Sequence, residues 1–228
     1  MTTKTALPRN QLLVRLPPEE IKRLLPHLKL VRLPLGRVLY KPGKTIEYAY
    51  FPDDAVISLL TTLKNGRSVE VTLIGNEGVL GIPAALGAKT VVNPAVAQVP
   101  GTGWRIKAAT LRSEFQRGGV LHERMLAYTL RLLSQISRTA ACNRVHELEQ
   151  RFARWLLMVF DRTDQLEFPM TDGFLSHMLG TSSSQVTAAA GAFRKAGLID
   201  YKGGRIKILK RKALESMACE CYRADLAN

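Results

Sequence analysis

The chain has 228 residues, a formal net charge of +14 and a pI near 10.0. A chain of this length buries roughly 70% of its unfolded surface, enough for one large or two ordinary domains. No apolar run approaches membrane-spanning length and the N-terminus has no signal-peptide core, so a cytoplasmic protein without a membrane partner is expected. Residues 1–144 hold 21 Lys and Arg against 9 Asp and Glu, leaving 12 against 10 in residues 145–228. The surplus that would attract a polyanion therefore sits in the first half.

Pro17 to Leu28 reads as a helical preface, with Glu19 and Glu20 near its start and Ile21, Leu24, Leu25 and Leu28 as its apolar stripe. Short runs rich in branched and aromatic residues follow at Arg37 to Tyr40, Ile46 to Phe51, Val56 to Leu63, Ser68 to Leu73, Val91 to Val99 and Trp104 to Lys107. Pro42-Gly43, Pro52-Asp53-Asp54, Asn65-Gly66, Gly75 and Pro100-Gly101 punctuate them. Short strands at near-regular spacing, with an Asn-Gly hairpin signal, predict an antiparallel barrel or jelly roll.

Leu111 to Phe115, and then Val120 to about Asn143, form the longest helical pattern. Leu121, Met125, Tyr128 and Leu132 make one stripe; Leu126, Leu130, Leu133, Ile136 and Ala140 make a second. Two stripes on one helix predict contact with the chain's own barrel and with the same helix of a second copy. The first stripe is assigned to the dimer seam. A further helix from Val145 to Phe160, with Leu148, Phe152, Trp155, Leu156 and Val159 inward, opens the second domain.

Met170 to Leu209 has the order of a winged helix-turn-helix. Thr171 or Asp172 caps a short helix through Leu179, and Gly180 supplies a tight turn. Ser182 and Gln185 form a capping box that starts a second helix near Ser183. Val186, Ala189, Ala190 and Phe193 recur at helical spacing and Gly197 supplies the stop. Two strands flank Gly203-Gly204, a pair suited to a hairpin turn with positive φ. The order predicts a DNA reader, with Thr171, Ser182, Ser183, Ser184, Gln185, Thr187 and Ala188 around the exposed helix start and Lys202 and Arg205 on the wing.

Cys142, Cys219 and Cys221 are an odd number without paired metal-ligand spacing, as expected in a reducing compartment. If Lys212 to Tyr222 is one helix, Cys219 and Cys221 point apart and share neither metal nor disulfide. His27, His122, His146 and His177 read as surface or core histidines rather than haem ligands. No metal and no cofactor is expected.

A strand-rich barrel, a long central helix and a C-terminal winged helix, in this order and at this length, resemble the Crp/Fnr family of bacterial transcription regulators. The resemblance covers nearly the whole chain. Leu35-Gly36-Arg37-Val38-Leu39-Tyr40-Lys41-Pro42-Gly43 is similar to the family's first glycine-containing turn, and Gly180-Thr181-Ser182-Ser183-Ser184-Gln185-Val186-Thr187 to its turn and recognition-helix start. The resemblance implies that Ser183, Ser184 and Ala188 face bases, where the family commonly has charged residues, so its usual operator is not implied. It also places the effector pocket at Gly81, Ile82, Asn93 and Ala95. Cyclic-nucleotide-binding members put a carboxylate and an arginine there; Ile82 replaces the first and no arginine lies near Asn93, so the pocket is degenerate and cyclic AMP is not expected. The family's iron–sulfur sensors need four cysteines, mostly near the N-terminus, and none precedes Cys142.

Enzymatic readings find no support. A metal-dependent cupin needs a His-x-His pair, and no Walker loop, dinucleotide fingerprint or nucleophile elbow is present. The expected fold is α+β: an N-terminal antiparallel jelly-roll barrel over 1–118, a dimerisation helix over 119–144 and a winged helix-turn-helix domain over 145–228. The expected function is a homodimeric, sequence-specific regulator whose partners are double-stranded DNA, RNA polymerase and an unknown small-molecule effector or none. The alternative is a ligand-binding signalling module whose C-terminal domain mainly contacts protein.

Overall fold

The computed structural model describes residues 7–66, 68–163 and 165–226. The chain opens with α1 (Gln11–Val14), capped by Asn10, whose side-chain oxygen accepts the Leu12 amide at 3.1 Å. The Asn10 amide group donates to the carbonyls of Pro52 and Gly78, tying this segment to the first domain. Then comes α2 (Pro18–Leu24), with proline in its first turn where no amide partner is missed, running into a 3-10 turn over Leu25–His27.

Seven strands build the first domain: β1 (Lys29–Leu33), β2 (Val38–Tyr40), β3 (Tyr48–Pro52), β4 (Val56–Thr62), β5 (Ser68–Ile74), β6 (Ala95–Val99) and β7 (Gly101–Lys107). They form two antiparallel sheets, one in the order β1-β7-β3 and the other β2-β6-β4-β5. Two departures from expectation have local causes. β1 escapes the pattern because only Leu33 of it is buried, and β6 begins four residues later than Val91 because Pro94 cannot donate to a ladder. A short helix α3 (Ile82–Ala85) lies between β5 and β6, followed after β7 by α4 (Ala108–Gln116) and α5 (Val120–Val145). Glu20 anchors the start of α5 by accepting the amides of Val120 and Leu121 at 2.8 Å each.

The two stripes of α5 face opposite to the sequence assignment. Leu121, Met125 and Tyr128 are 3% exposed or less and belong to the first domain's core, and Leu132 packs against that core. The Tyr128 ring lies against Gly78, where even a Cβ would meet it at 2.1 Å. Leu121, Met125 and Tyr128 are thus buried within one chain and offer no face to a second copy. The exposed apolar face is the second stripe, with Leu126 at 42%, Leu130 at 67% and Leu133 at 56%.

The C-terminal half contains α6 (Leu148–Phe160), β8 (Glu167–Pro169), α7 (Asp172–Leu179), α8 (Ser183–Lys195), β9 (Ile199–Lys202), β10 (Arg205–Ile208), α9 (Arg211–Met217) and α10 (Glu220–Leu226). A capping box between Glu147 and Gln150 starts α6, whose inward face carries Phe152, Leu156 and Val159, all fully buried. Barrel residues Val56, Leu73 and Val99 share this second core, so the halves pack directly. At their junction the Trp155 indole donates to Glu70 at 2.9 Å and Ser58 bonds the other carboxylate oxygen. Burial pushes Glu70 from its ordinary 4.5 up to about 8, outweighing those hydrogen bonds.

The tail corrects a second expectation. Lys212 to Tyr222 is not one helix: α9 stops at Met217, and Ala218 is extended at φ −67°, ψ 145°. Cys219 and Cys221 therefore do not point apart. Their sulfurs meet Cys142 and His146, and the four ligating atoms all lie within 4.8 Å of one another. Among the described residues no helix is long and apolar enough to cross a membrane.

Candidate nucleic-acid interface

The helix-turn-helix is assembled by its caps. Thr171 accepts the Phe174 amide at 3.3 Å to start α7, and Gly180 ends that helix in the left-handed conformation at φ 63°, ψ 33°. Two residues on, Ser182 accepts the Gln185 amide while the Gln185 side chain returns to the Ser182 amide at 3.3 Å. Val186, Ala189, Ala190 and Phe193 are buried on the inner face of α8, where Phe193 stacks on Phe152 of α6 with ring centroids 5.1 Å apart. Packing of this face fixes which residues point out: Ser182, Ser183, Ser184, Gln185, Thr187 and Ala188 are all exposed, and so is Thr171.

Their chemistry is not uniform. Gln185 is held by its cap and by Thr181, and Thr187 donates to the Ser183 carbonyl at 2.9 Å. Ser182 and Ser184 hydroxyls lie 3.0 Å apart. Ser183 and Ser184 thus present hydroxyls that donate or accept, beside amides of the helix start that have no intrahelical acceptor. Arg194 and Lys195 are exposed at the far end of α8.

The wing is the pair β9 and β10, with β8 on its other edge. Gly203 and Gly204 at φ 59° and 68° make the two-residue turn that positive φ requires. Lys202 is exposed at the turn, whereas Arg205 is ion-paired with Glu167 across β8. Lys207, two residues along on the same face, is also exposed. Both wing cations expected from sequence are thus exposed, and Arg205 differs in carrying a surface ion pair with Glu167 of β8.

The expected effector residues converge only in part. Gly81, Ile82 and Asn93 line a cavity of about 440 Å³ between the barrel and α5, bounded on the helix side by Thr129, Leu132 and Leu133. Ala95 is fully buried in β6, facing Tyr40 of β2 and Leu59 of β4 in register, and stands outside the lining. The Asn93 amide donates to the Leu60 carbonyl at 2.8 Å and to Thr61 Oγ1 at 2.9 Å, so its polar group is spent within the barrel. What remains is a cavity walled largely by hydrocarbon, without an acid or a base among its lining residues. The spacing of Leu132 and Leu133 marks them only as stripe residues, and nothing in the sequence shows the part they play in this lining.

Residues 150–217 match the Crp-like helix-turn-helix domain. Solved structures share the fold over most of the chain. FixK2 of Bradyrhizobium japonicum is 16% identical with a TM-score of 0.70, covering 84% of this chain and 98% of its own. A CRP/FNR-family transcriptional regulator of Thermus thermophilus is 20% identical at a TM-score of 0.65, covering 83% and 98%. The c-di-GMP-responsive global regulator CLP of Xanthomonas campestris is 15% identical at 0.65, again over 83% and 98%. No curated protein matches the sequence.

Proposed function

We propose that this chain, which has the fold of the Crp/Fnr transcription regulators and carries a Crp-like helix-turn-helix domain over 150–217, is a homodimeric, sequence-selective DNA-binding regulator that works without cyclic AMP. The observation that carries the reading is the start of α8. A capped helix end presents Ser183 and Ser184 outward beside a basic wing, while a stacked aromatic pair holds it from behind. Such an end fits the major groove, where hydroxyls meet base edges and free amides meet phosphate. Thr171, Ser182, Lys202 and Lys207 flank it as phosphate contacts, with Arg205 able to exchange Glu167 for a phosphate.

The dimer is formed along the exposed stripe of α5, where Leu126, Leu130, Leu133 and Ile136 meet their copies, and two-fold symmetry sets the half-sites about 34 Å apart. The chain divides into a sensor barrel over 1–118, the dimer helix over 119–144 and the reading domain over 145–228. RNA polymerase is the further partner expected of a regulator. The cavity of about 440 Å³ suits an apolar effector rather than a cyclic nucleotide, because nothing in its lining offers a charge to a phosphate.

Selection of genomic fragments by the purified full chain, with and without cyclic AMP, tests the reading. A palindromic duplex motif should be enriched equally in both arms. Enrichment of no motif overturns DNA reading, and enrichment that needs cyclic AMP overturns the account of the pocket.

A further inference from the structure

The geometry points to a metal site at the joint between the long helix and the reading domain: Cys142, His146, Cys219 and Cys221 form a closed tetrahedral set for one zinc ion. Cys142 and His146 stand four residues apart at the end of α5, where the His146 amide still donates to the Cys142 carbonyl at 3.1 Å, so both side chains leave the same face. The break at Ala218 turns Cys219 and Cys221 toward them. The three cysteines are buried and form a small cluster of their own.

Two edges of the set already have the lengths that one tetrahedral ion requires. The Cys142 and Cys219 sulfurs are 3.5 Å apart, and the Cys221 sulfur is 3.8 Å from His146 Nδ1. Zinc bonds to sulfur and imidazole nitrogen imply tetrahedral edges of about 3.8 Å between sulfurs and about 3.6 Å between sulfur and nitrogen. A disulfide needs sulfurs at about 2.0 Å and would leave one thiol and the imidazole without a role. A multi-iron cluster holds its ligands further apart than a set gathered around one point.

The surroundings fit the same ion. His146 turns Nδ1 inward and sets Nε2 3.1 Å from Glu220 Oε1, the carboxylate partner that orients a ligating imidazole. Arg154, buried behind the cluster, faces the Cys142 sulfur and is itself held by Asp225 at 2.8 Å. Three thiolates and a neutral imidazole around a dication leave one negative charge, which the net positive charge of Arg154 and Arg138 sharing Asp225 offsets. Four protein ligands leave no open position, so the ion is structural. It would bind the end of α5, the turn into α6 and the C-terminal tail into one unit. Thiolate-rich tetrahedral coordination selects zinc over magnesium, calcium and manganese.

The full chain, purified in reductant with any affinity tag removed, should carry one zinc per chain by mass spectrometry of the metal. Exchange with Co²⁺ should give the strong ligand-field bands and thiolate charge-transfer band of a tetrahedral thiolate complex. Chelation should lower the Tm, and added Zn²⁺ should restore it. Cys219→Ser and Cys221→Ser should each lower zinc affinity at least tenfold and remove the chelator's effect on Tm. The apo wild-type chain titrated with Zn²⁺ against a chromophoric chelator keeps the test decisive if either variant fails to fold. Absence of retained zinc together with no tetrahedral Co²⁺ spectrum overturns the site. So does an unchanged zinc affinity in a folded Cys142→Ser chain, or a Cys142–Cys219 disulfide in the reduced preparation.

Discussion

The barrel cavity and the joint beneath α5 are built from opposite materials. The cavity is walled by hydrocarbon, and its one amide, Asn93, is already satisfied by β4. The joint is dense with directed contacts. Asp225 receives Arg138 at 2.6 Å and Arg154 at 2.8 Å, and Arg162 bonds Glu77 and Gln135 at 2.9 Å each while donating to the Met158 carbonyl at 2.8 Å. Apolar burial is strong but non-directional, whereas paired charges fix angles. Directed contacts thus tie the C-terminal half to α5 at the joint, whereas the cavity meets α5 only through Thr129, Leu132 and Leu133.

The largest expected effect breaks the joint. Asp225→Ala strands two guanidiniums, of which Arg154 is buried, and should cost about 3–5 kcal/mol in urea unfolding. Leu86→Ala at the cavity rim, where the leucine is 58% exposed, should change stability by no more than about 0.5 kcal/mol. Equal losses would erase the contrast. The two faces of α5 sharpen it next. Met125→Ala should destabilise by about 2–5 kcal/mol without dissociating the dimer. Leu130→Glu should leave the fold within about 0.5 kcal/mol and yield monomers by light scattering. Dimers of folded Leu130→Glu at micromolar concentration would place the seam elsewhere.

A smaller effect is set by Glu70, where barrel and reading domain meet. Its native value of about 8 lies above its ordinary 4.5, so the native state holds more protons between those pH values and stability falls as pH rises through that window. The slope from this group is at most about 1.4 kcal/mol per pH unit. Glu70→Gln should flatten the profile there and leave it unchanged below pH 4.5. An unchanged slope between pH 5 and 8 would show that Glu70 is ionised in the native chain.

The reading domain was legible because its signals are local. Ser182 with Gln185 forms the expected capping box, Gly180 ends the preceding helix, and Gly203-Gly204 makes the hairpin. Most strands were found for a similar reason, β-branched runs between turn residues. The assignment of the α5 stripes failed because two apolar stripes of one period look alike until the barrel takes one of them. The thiol cluster failed for another reason. Met217-Ala218-Cys219-Glu220 contains neither glycine nor proline to announce a break, and Cys142 lies 77 positions from Cys219. The available signal was the spacing of Cys142 and His146, one helical turn apart.

In the proposed complex α8 reads base edges while the wing holds phosphate. Binding of a selected operator and of a scrambled duplex, each across a salt series, tests it most directly. Ser183→Ala with Ser184→Ala should lower operator affinity by about 1–3 kcal/mol and leave the scrambled duplex nearly unaffected. Lys202→Ala with Arg205→Ala should weaken both duplexes alike and reduce the log-affinity against log-salt slope by about one per lost phosphate contact. A serine pair that changes the salt slope, with a wing pair that changes sequence preference, would contradict the account.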